Sequence, residues 1–384
     1  MSATKKTTYS DLEQTLESSQ FSIGQERNDF LLPQIIDLVR KDQWINTRPE
    51  YQRRLVWDLT KKSRLIESLF MNVPVPPIFL YEHDLNRYEV MDGQQRLNTI
   101  IDFYLNKFSL RGLEYWSALN GFKYSDLPSR AQRGLDRRRI TATVLIADQS
   151  QTAEQISELR KQVFDRLNTG GQKLVAQELR NCLYSGPFNE LIIELAGLPK
   201  FNDMWGIPRY RDNIRNDNVT DRLATNTLYK RMTDVEIVLR YFAFRKTKSS
   251  IRGAVKRILD QVMIENVSAP PSLIEEMRAD FIRDLSLVND VFGDDGFRLP
   301  VEGAASALGT HSQPYYDALM VSAFRTSDRH AQLRKSAGKL RTAVRQAVLK
   351  NEETKDLFVG RANTAKAIRE RLDRMEKSFL SVCR

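Results

Sequence analysis

The sequence predicts an α+β protein with a small mixed sheet in its first half and an all-helical second half. Three observations predict it. Before residue 150, short apolar runs such as Ile78-Phe79-Leu80-Tyr81 and Ile140–Ile146 alternate with amphipathic helical segments. From residue 174 onward the apolar spacing is helical almost throughout. Hydrophobic residues make up 41% of the 384-residue chain, enough for two domains or for one domain with a large extension. Strands and helices that alternate early and not later point to segregated architectures rather than one interleaved fold.

In chain order, residues 1–29 read as a tail and a short helix opened by the capping box Ser10-Asp11-Leu12-Glu13. Leu32, Ile35, Ile36 and Val39 share one face of a helix over 31–43, and 44–47 is a short strand. Pro49 biases the next stretch to an extended loop. Residues 60–71 are helical, and the prolines at 74, 76 and 77 exclude helix before strand 78–81. Asp84-Leu85-Asn86 turns that strand into a second, 87–91, as a hairpin. Leu97, Ile100, Ile101, Tyr104 and Leu105 give the following helix one buried stripe. Residues 108–127 read as a loop with a short hairpin, 129–139 as an arginine-rich helix, 140–146 as a strand and 152–167 as a helix. The second half is broken at Val267–Pro271 and Asp294–Gly309.

Chemistry concentrates where strand 87–91 meets its helix, at Asp92-Gly93-Gln94-Gln95-Arg96. A helix N-terminus leaves backbone N–H groups without intrahelical partners at the positive end of the dipole, and so favours an anion. Gly93 permits a tight turn and a close backbone approach. Arg96 offers a planar fork suited to phosphate. Asp92 can cap the helix or hold a metal that rides on a phosphate. The same residues also suit a plain strand–turn–helix, with Arg96 either solvated or buried against Asp92. The extended loop adds Tyr51, Gln52 and Arg53, an aromatic face, an amide and a guanidinium that together suit a nucleotide.

Asp92-Gly93-Gln94-Gln95-Arg96-Leu97 resembles the signature of the N-terminal domain family of GmrSD-type modification-dependent restriction enzymes, a branch of the ParB/sulfiredoxin-like superfamily. Three more stretches match that pattern in order: Pro49–Arg53 with Val56-Trp57, Val75–Ile78, and Phe164–Gly171 with Glu178–Asn181. Arg231–Glu236 and Leu239–Phe242 match more loosely. The resemblance implies a ParB-like nucleotide-binding domain over 30–181 and a helical domain over 182–384. It implies binding and hydrolysis of a nucleoside triphosphate with Mg²⁺, which regulates an action on DNA. Asp92, Gln94, Gln95 and Arg96 are then the candidate catalytic residues, with Asp92 at the metal. Tyr51, Gln52, Arg53 and Gly93 would line the nucleotide from one side, and Asn168, Thr169 and Gly170 from another. The alternatives are a non-catalytic DNA-binding or regulatory subunit, and a ParB-like nuclease using Asp92 with Glu89 or Glu50.

The formal net charge of +10 favours an anionic partner, with nucleic acid foremost. Residues 329–350 read as one basic helix whose Arg334, Lys335, Lys339, Arg341 and Arg345 are the candidate DNA contacts. The three histidines are scattered, and there is no zinc-ligand cluster, no His-Asn-His arrangement and no Walker A loop. The larger enzymes of the resembled family add a His-Asn-His nuclease domain; its absence from this sequence directs the expectation to a separate nuclease subunit. Two cysteines, no apolar run of transmembrane length and no apolar core at the N-terminus lead us to expect a cytoplasmic protein without a membrane partner.

Overall fold

The computed structural model describes residues 23–47, 57–147, 163, 175–184, 186–210, 220–245, 251–303, 307–360 and 364–383. The chain divides into two compact units, with the break between Lys173 and Leu174. Each unit has its own apolar core.

The first unit is built on a five-stranded mixed sheet ordered β1-β5-β3-β4-β2. Its strands are β1 (Ile23–Leu31), β2 (Ile45–Asn46), β3 (Ile78–Asp84), β4 (Arg87–Asp92) and β5 (Arg139–Ala147). β3 and β4 form the expected antiparallel hairpin, with Leu80 opposite Val90. β3 runs parallel to β5, and β2 parallel to β4. Four helices accompany the sheet: α1 (Leu32–Arg40), α2 (Leu59–Phe70), α3 (Gln94–Tyr104) and α4 (Ser129–Asp136). Asp58 caps α2 by accepting from the Lys61 N–H at 2.8 Å.

Two expectations are corrected here. Residues 23–29, read as part of a tail, belong to β1, which pairs along its whole length with β5. On α3, Phe103 is fully buried with Leu97 and Ile100, whereas Leu105 is the exposed C-cap. Position 105 lies past the last helical residue, so the stripe stops one residue short of the sequence pattern. At that end the Tyr104 and Tyr124 hydroxyls both donate to Asp136 Oδ1 at 2.9 Å, fastening α3 to α4.

The second unit is helical, with α5 (Ala176–Leu183), α6 (Pro187–Ala196), α7 (Thr233–Phe244), α8 (Val255–Asn266), α9 (Pro271–Phe292), α10 (Gln313–Arg325), α11 (His330–Lys335), α12 (Ala337–Val348) and α13 (Ala365–Ser381) as its main elements. This is the expected helical region, and within it lies one small antiparallel pair, β6 (Arg298–Pro300) and β7 (Leu308–His311). The single basic helix expected over 329–350 is two helices, because Ser336 (φ −105°, ψ 25°) leaves helical geometry between α11 and α12. α5 packs on α7 and α8, so Ala176–Asn181 fold with this unit. The expected boundary at 181 therefore falls inside a helix.

The two family-like blocks of the helical half meet directly. Arg180 donates from Nη1 to Glu236 at 2.8 Å and from Nε to Asp260 at 2.7 Å. Asp317, fully buried in α10, is clamped by Arg240 of α7 and Arg371 of α13. A buried carboxylate is tolerated only with such partners.

Candidate functional site

The turn between β4 and α3 is shaped by the hairpin beside it. Antiparallel pairing sets Phe79 opposite Asp92, which brings the start of β3 against the end of β4. Gly93 is the N-cap of α3 and is left-handed, with φ 93°. A Cβ there would lie 2.5 Å from Ile78 Cγ2 and 3.0 Å from Arg96 Nη2. Both the backbone angle and the neighbouring strand therefore require glycine. No side chain caps this helix, so Asp92 is not the cap that its position allowed.

Asp92 instead accepts a hydrogen bond from Arg96 Nη2 at 3.0 Å, and the same nitrogen donates to the Pro77 carbonyl at 2.9 Å. The Arg96 side chain is 16% exposed and that of Asp92 is 37% exposed. Arg96 Nε is buried and makes no hydrogen bond among the described residues. Of the three roles the sequence left open for Arg96, this arrangement is the pair with Asp92. It leaves part of the fork unused.

The two glutamines hold chain ends. Gln94 Nε2 donates to the Thr47 carbonyl at 3.0 Å, and Gln95 Oε1 accepts from the Trp57 N–H at 3.3 Å. Thr47 and Trp57 are the described residues on either side of 48–56, the segment that includes Tyr51, Gln52 and Arg53. Those three residues lie outside the described residues, as do Asn168, Thr169 and Gly170. Gln94 is 7% exposed and its Oε1 is buried without a partner. The turn thus carries a buried acceptor and a buried donor, each with hydrogen-bonding capacity to spare. Sequence reasoning gave no role to Pro77, Ile78, Thr47 or Trp57. The Val75–Ile78 block was the available signal for the first two.

Among the described residues, no three His, Cys, Asp or Glu side chains are grouped to hold a metal ion. Asp92, 37% exposed at the turn, could ligate a metal only together with oxygens from phosphate and water.

The candidate DNA contacts of the helical unit are largely engaged within it. Arg334 Nε donates to Asp290 at 2.8 Å, and Arg341 Nη1 to the Val291 carbonyl at 2.7 Å. Arg345 donates to the carbonyls of Val301 and Ala307. Lys335 and Lys339 are exposed.

Residues 35–185 match the family model of the GmrSD restriction endonuclease N-terminal domain. This segment is a domain of that family. The GmrSD-type match covers the turn, residues 47 and 57 that bond to it, and α5, and stops before the rest of the helical unit. No curated protein and no solved structure matches the chain. Among the described residues, no helix is long and apolar enough to cross a membrane.

Proposed function

We propose that the GmrSD-type domain binds and hydrolyses a nucleoside triphosphate at the Asp92–Arg96 turn, and that this controls an action on nucleic acid. One observation carries the reading. At a glycine-opened helix N-terminus, Gln94 Oε1 and Arg96 Nε are buried polar atoms without partners among the described residues. Leaving such atoms unpaired costs about 1–3 kcal/mol each, a cost more common at ligand sites than in a plain turn.

Arg96 would turn from Asp92 to a phosphate oxygen, which gains a charge-assisted bond at the positive end of α3. Gln94 and Gln95 act by fixing Thr47 and Trp57 beside the phosphate site. Asp92, released from Arg96, would hold Mg²⁺ together with phosphate oxygens. Magnesium would supply neutralisation of charge at the transferred phosphoryl group. The net charge of +10 supports nucleic acid as the macromolecular partner.

The test is release of inorganic phosphate from each nucleoside triphosphate with Mg²⁺, beside calorimetric titration of the same nucleotides. Binding and turnover, both lost in Arg96→Ala, are the expected result. Binding without turnover would leave the non-catalytic regulatory reading. No binding by a folded protein would end the nucleotide assignment.

A further inference from the structure

The helical unit contains a cavity of about 590 Å³ beside the end of α9, outside the family-matched segment. Its size falls in the range of small-molecule sites, roughly 300–1,000 Å³. Three guanidinium groups line it: Arg298, Arg341 and Arg345. Phe292, Pro300 and Leu308 supply apolar surface, and Asp294 and Asp295 supply carboxylates. We propose that this cavity binds a nucleoside phosphate, either free or at the phosphorylated end of a nucleic acid strand.

The argument rests on how the charges are held. Arg341 is fixed by the Val291 carbonyl at 2.7 Å, the open C-terminal end of α9. Among the described residues it has no carboxylate within ion-pair distance, so its charge is not neutralised by a partner. Arg345 is held by the Val301 and Ala307 carbonyls. Arg298 is held by the Gly309 carbonyl at 2.8 Å and by Asp295 at 3.1 Å. Guanidinium groups fixed through backbone carbonyls lose little further freedom when they bind phosphate. Asp294 accepts from Asn289 at 3.1 Å through one oxygen. A purely anionic ligand would be repelled by the two carboxylates. A nucleoside phosphate fits all three surfaces: phosphate to arginine, sugar hydroxyl or base amino groups to carboxylate, and base to the apolar wall. Tyr315 also lines the cavity, and burial pushes its hydroxyl up, so that it stays neutral.

This site is independent of the Asp92 turn, and its test keeps the two apart. The full chain is titrated calorimetrically with adenosine and deoxycytidine monophosphates, with the matching nucleosides, and with inorganic phosphate. A short single strand with and without a 5′-phosphate forms a second arm. The monophosphates are expected to bind at least about tenfold tighter than the nucleosides. Arg341→Gln keeps a polar side chain but removes the charge, and is expected to weaken binding about tenfold. Asp294→Asn removes a repelling charge and is expected to tighten it, a gain that damaged folding cannot imitate. Preference for the phosphorylated strand assigns the ligand to a nucleic acid end; preference for the monophosphates assigns it to free nucleotide. The proposal is overturned if monophosphates and nucleosides bind alike. It is also overturned if Arg96→Ala abolishes binding while Arg341→Gln and Asp294→Asn leave it unchanged.

Discussion

Arg96 and Arg180 lie in the same family-matched segment and have opposite surroundings. Arg180 is 2% exposed, and its fork is occupied by Asp260, Glu236 and Gln177 at 2.7, 2.8 and 3.1 Å. Arg96 uses a single nitrogen for both of its contacts and buries Nε with no partner. A guanidinium whose donors are met on several sides by carboxylates is a structural tie between helices. Under the proposed nucleotide role, one that is partly buried and partly unmet is completed by an incoming anion. The comparison sets a stability residue beside a proposed site residue, although both are arginines in signature-like blocks.

The largest effect is expected at Arg180. Arg180→Leu leaves Glu236 and Asp260 facing an apolar side chain and breaks the tie between α5 and the α7–α8 pair. The expected loss is about 3 kcal/mol, at the low end for a buried ion network because both carboxylates are partly exposed. Chemical denaturation measures it. A loss below about 1 kcal/mol would remove the structural half of the comparison.

Gly93→Ala comes next. The residue would have to keep a φ of 93° and place its Cβ 2.5 Å from Ile78 Cγ2. The expected cost is about 2 kcal/mol, from strain together with displacement of β3. Gly93→Ala with Ile78→Val should recover part of this cost in a melt, since the shortened side chain eases the clash but not the backbone. No recovery at all would mean that the strand is not what confines the turn.

How far these roles could be read from sequence differs from residue to residue. The β3–β4 hairpin was legible because its apolar runs are bounded by turn residues. β1 was not, because Gly24–Asp29 is polar and mostly exposed, and pairs only with β5 at the sheet edge. An edge strand has no buried alternation to display. The chemistry of Gly93 and Arg96 was legible in their residue types. The contacts of Gln94 and Gln95 were not, since their partners Thr47 and Trp57 lie 47 and 38 residues away. Nor does any local pattern show that Arg334 and Arg341 serve Asp290 and Val291 rather than an external phosphate.

Arg96→Ala should cost the unliganded protein less than either change above, about 1 kcal/mol. It removes an i,i+4 pair whose carboxylate is 37% exposed, which limits the value of the pair. Under the proposed nucleotide role the same change weakens nucleotide binding by about 1.5–3 kcal/mol, and Arg96→Lys restores little because an ammonium lacks the fork. If the unliganded protein melts as low as Arg180→Leu while nucleotide affinity is unchanged, Arg96 is a structural tie like Arg180 and the distinction collapses.

The smallest effect sharpens the comparison from the side of a negative charge. Glu67 is 3% exposed, and its carboxylate accepts the backbone N–H groups of Tyr115 and Trp116 at 2.8 Å and of Glu114 at 3.3 Å. Burial alone would raise this carboxyl; the three N–H groups, with Arg64 nearby, outweigh it and hold the carboxyl below its ordinary value. A depressed carboxyl contributes stability that is present above its unfolded pKa, about 4.3, and is lost as pH falls through the lower folded value. Glu67→Gln keeps one acceptor oxygen and gives up mainly the longest bond, so a loss of about 0.5–1 kcal/mol is expected at neutral pH. Melts of both proteins from neutral to acid pH should converge below about pH 4, as the parent protonates Glu67 and forfeits the same interaction. Near-ultraviolet dichroism should follow the same course, because the braced loop presents Trp116, stacked on Phe70 at 5.4 Å. A stability gap that stays constant down to acid pH would mean that Glu67 holds the loop through shape rather than charge. A buried carboxylate met by three donors would then behave unlike Arg180, whose partners are carboxylates.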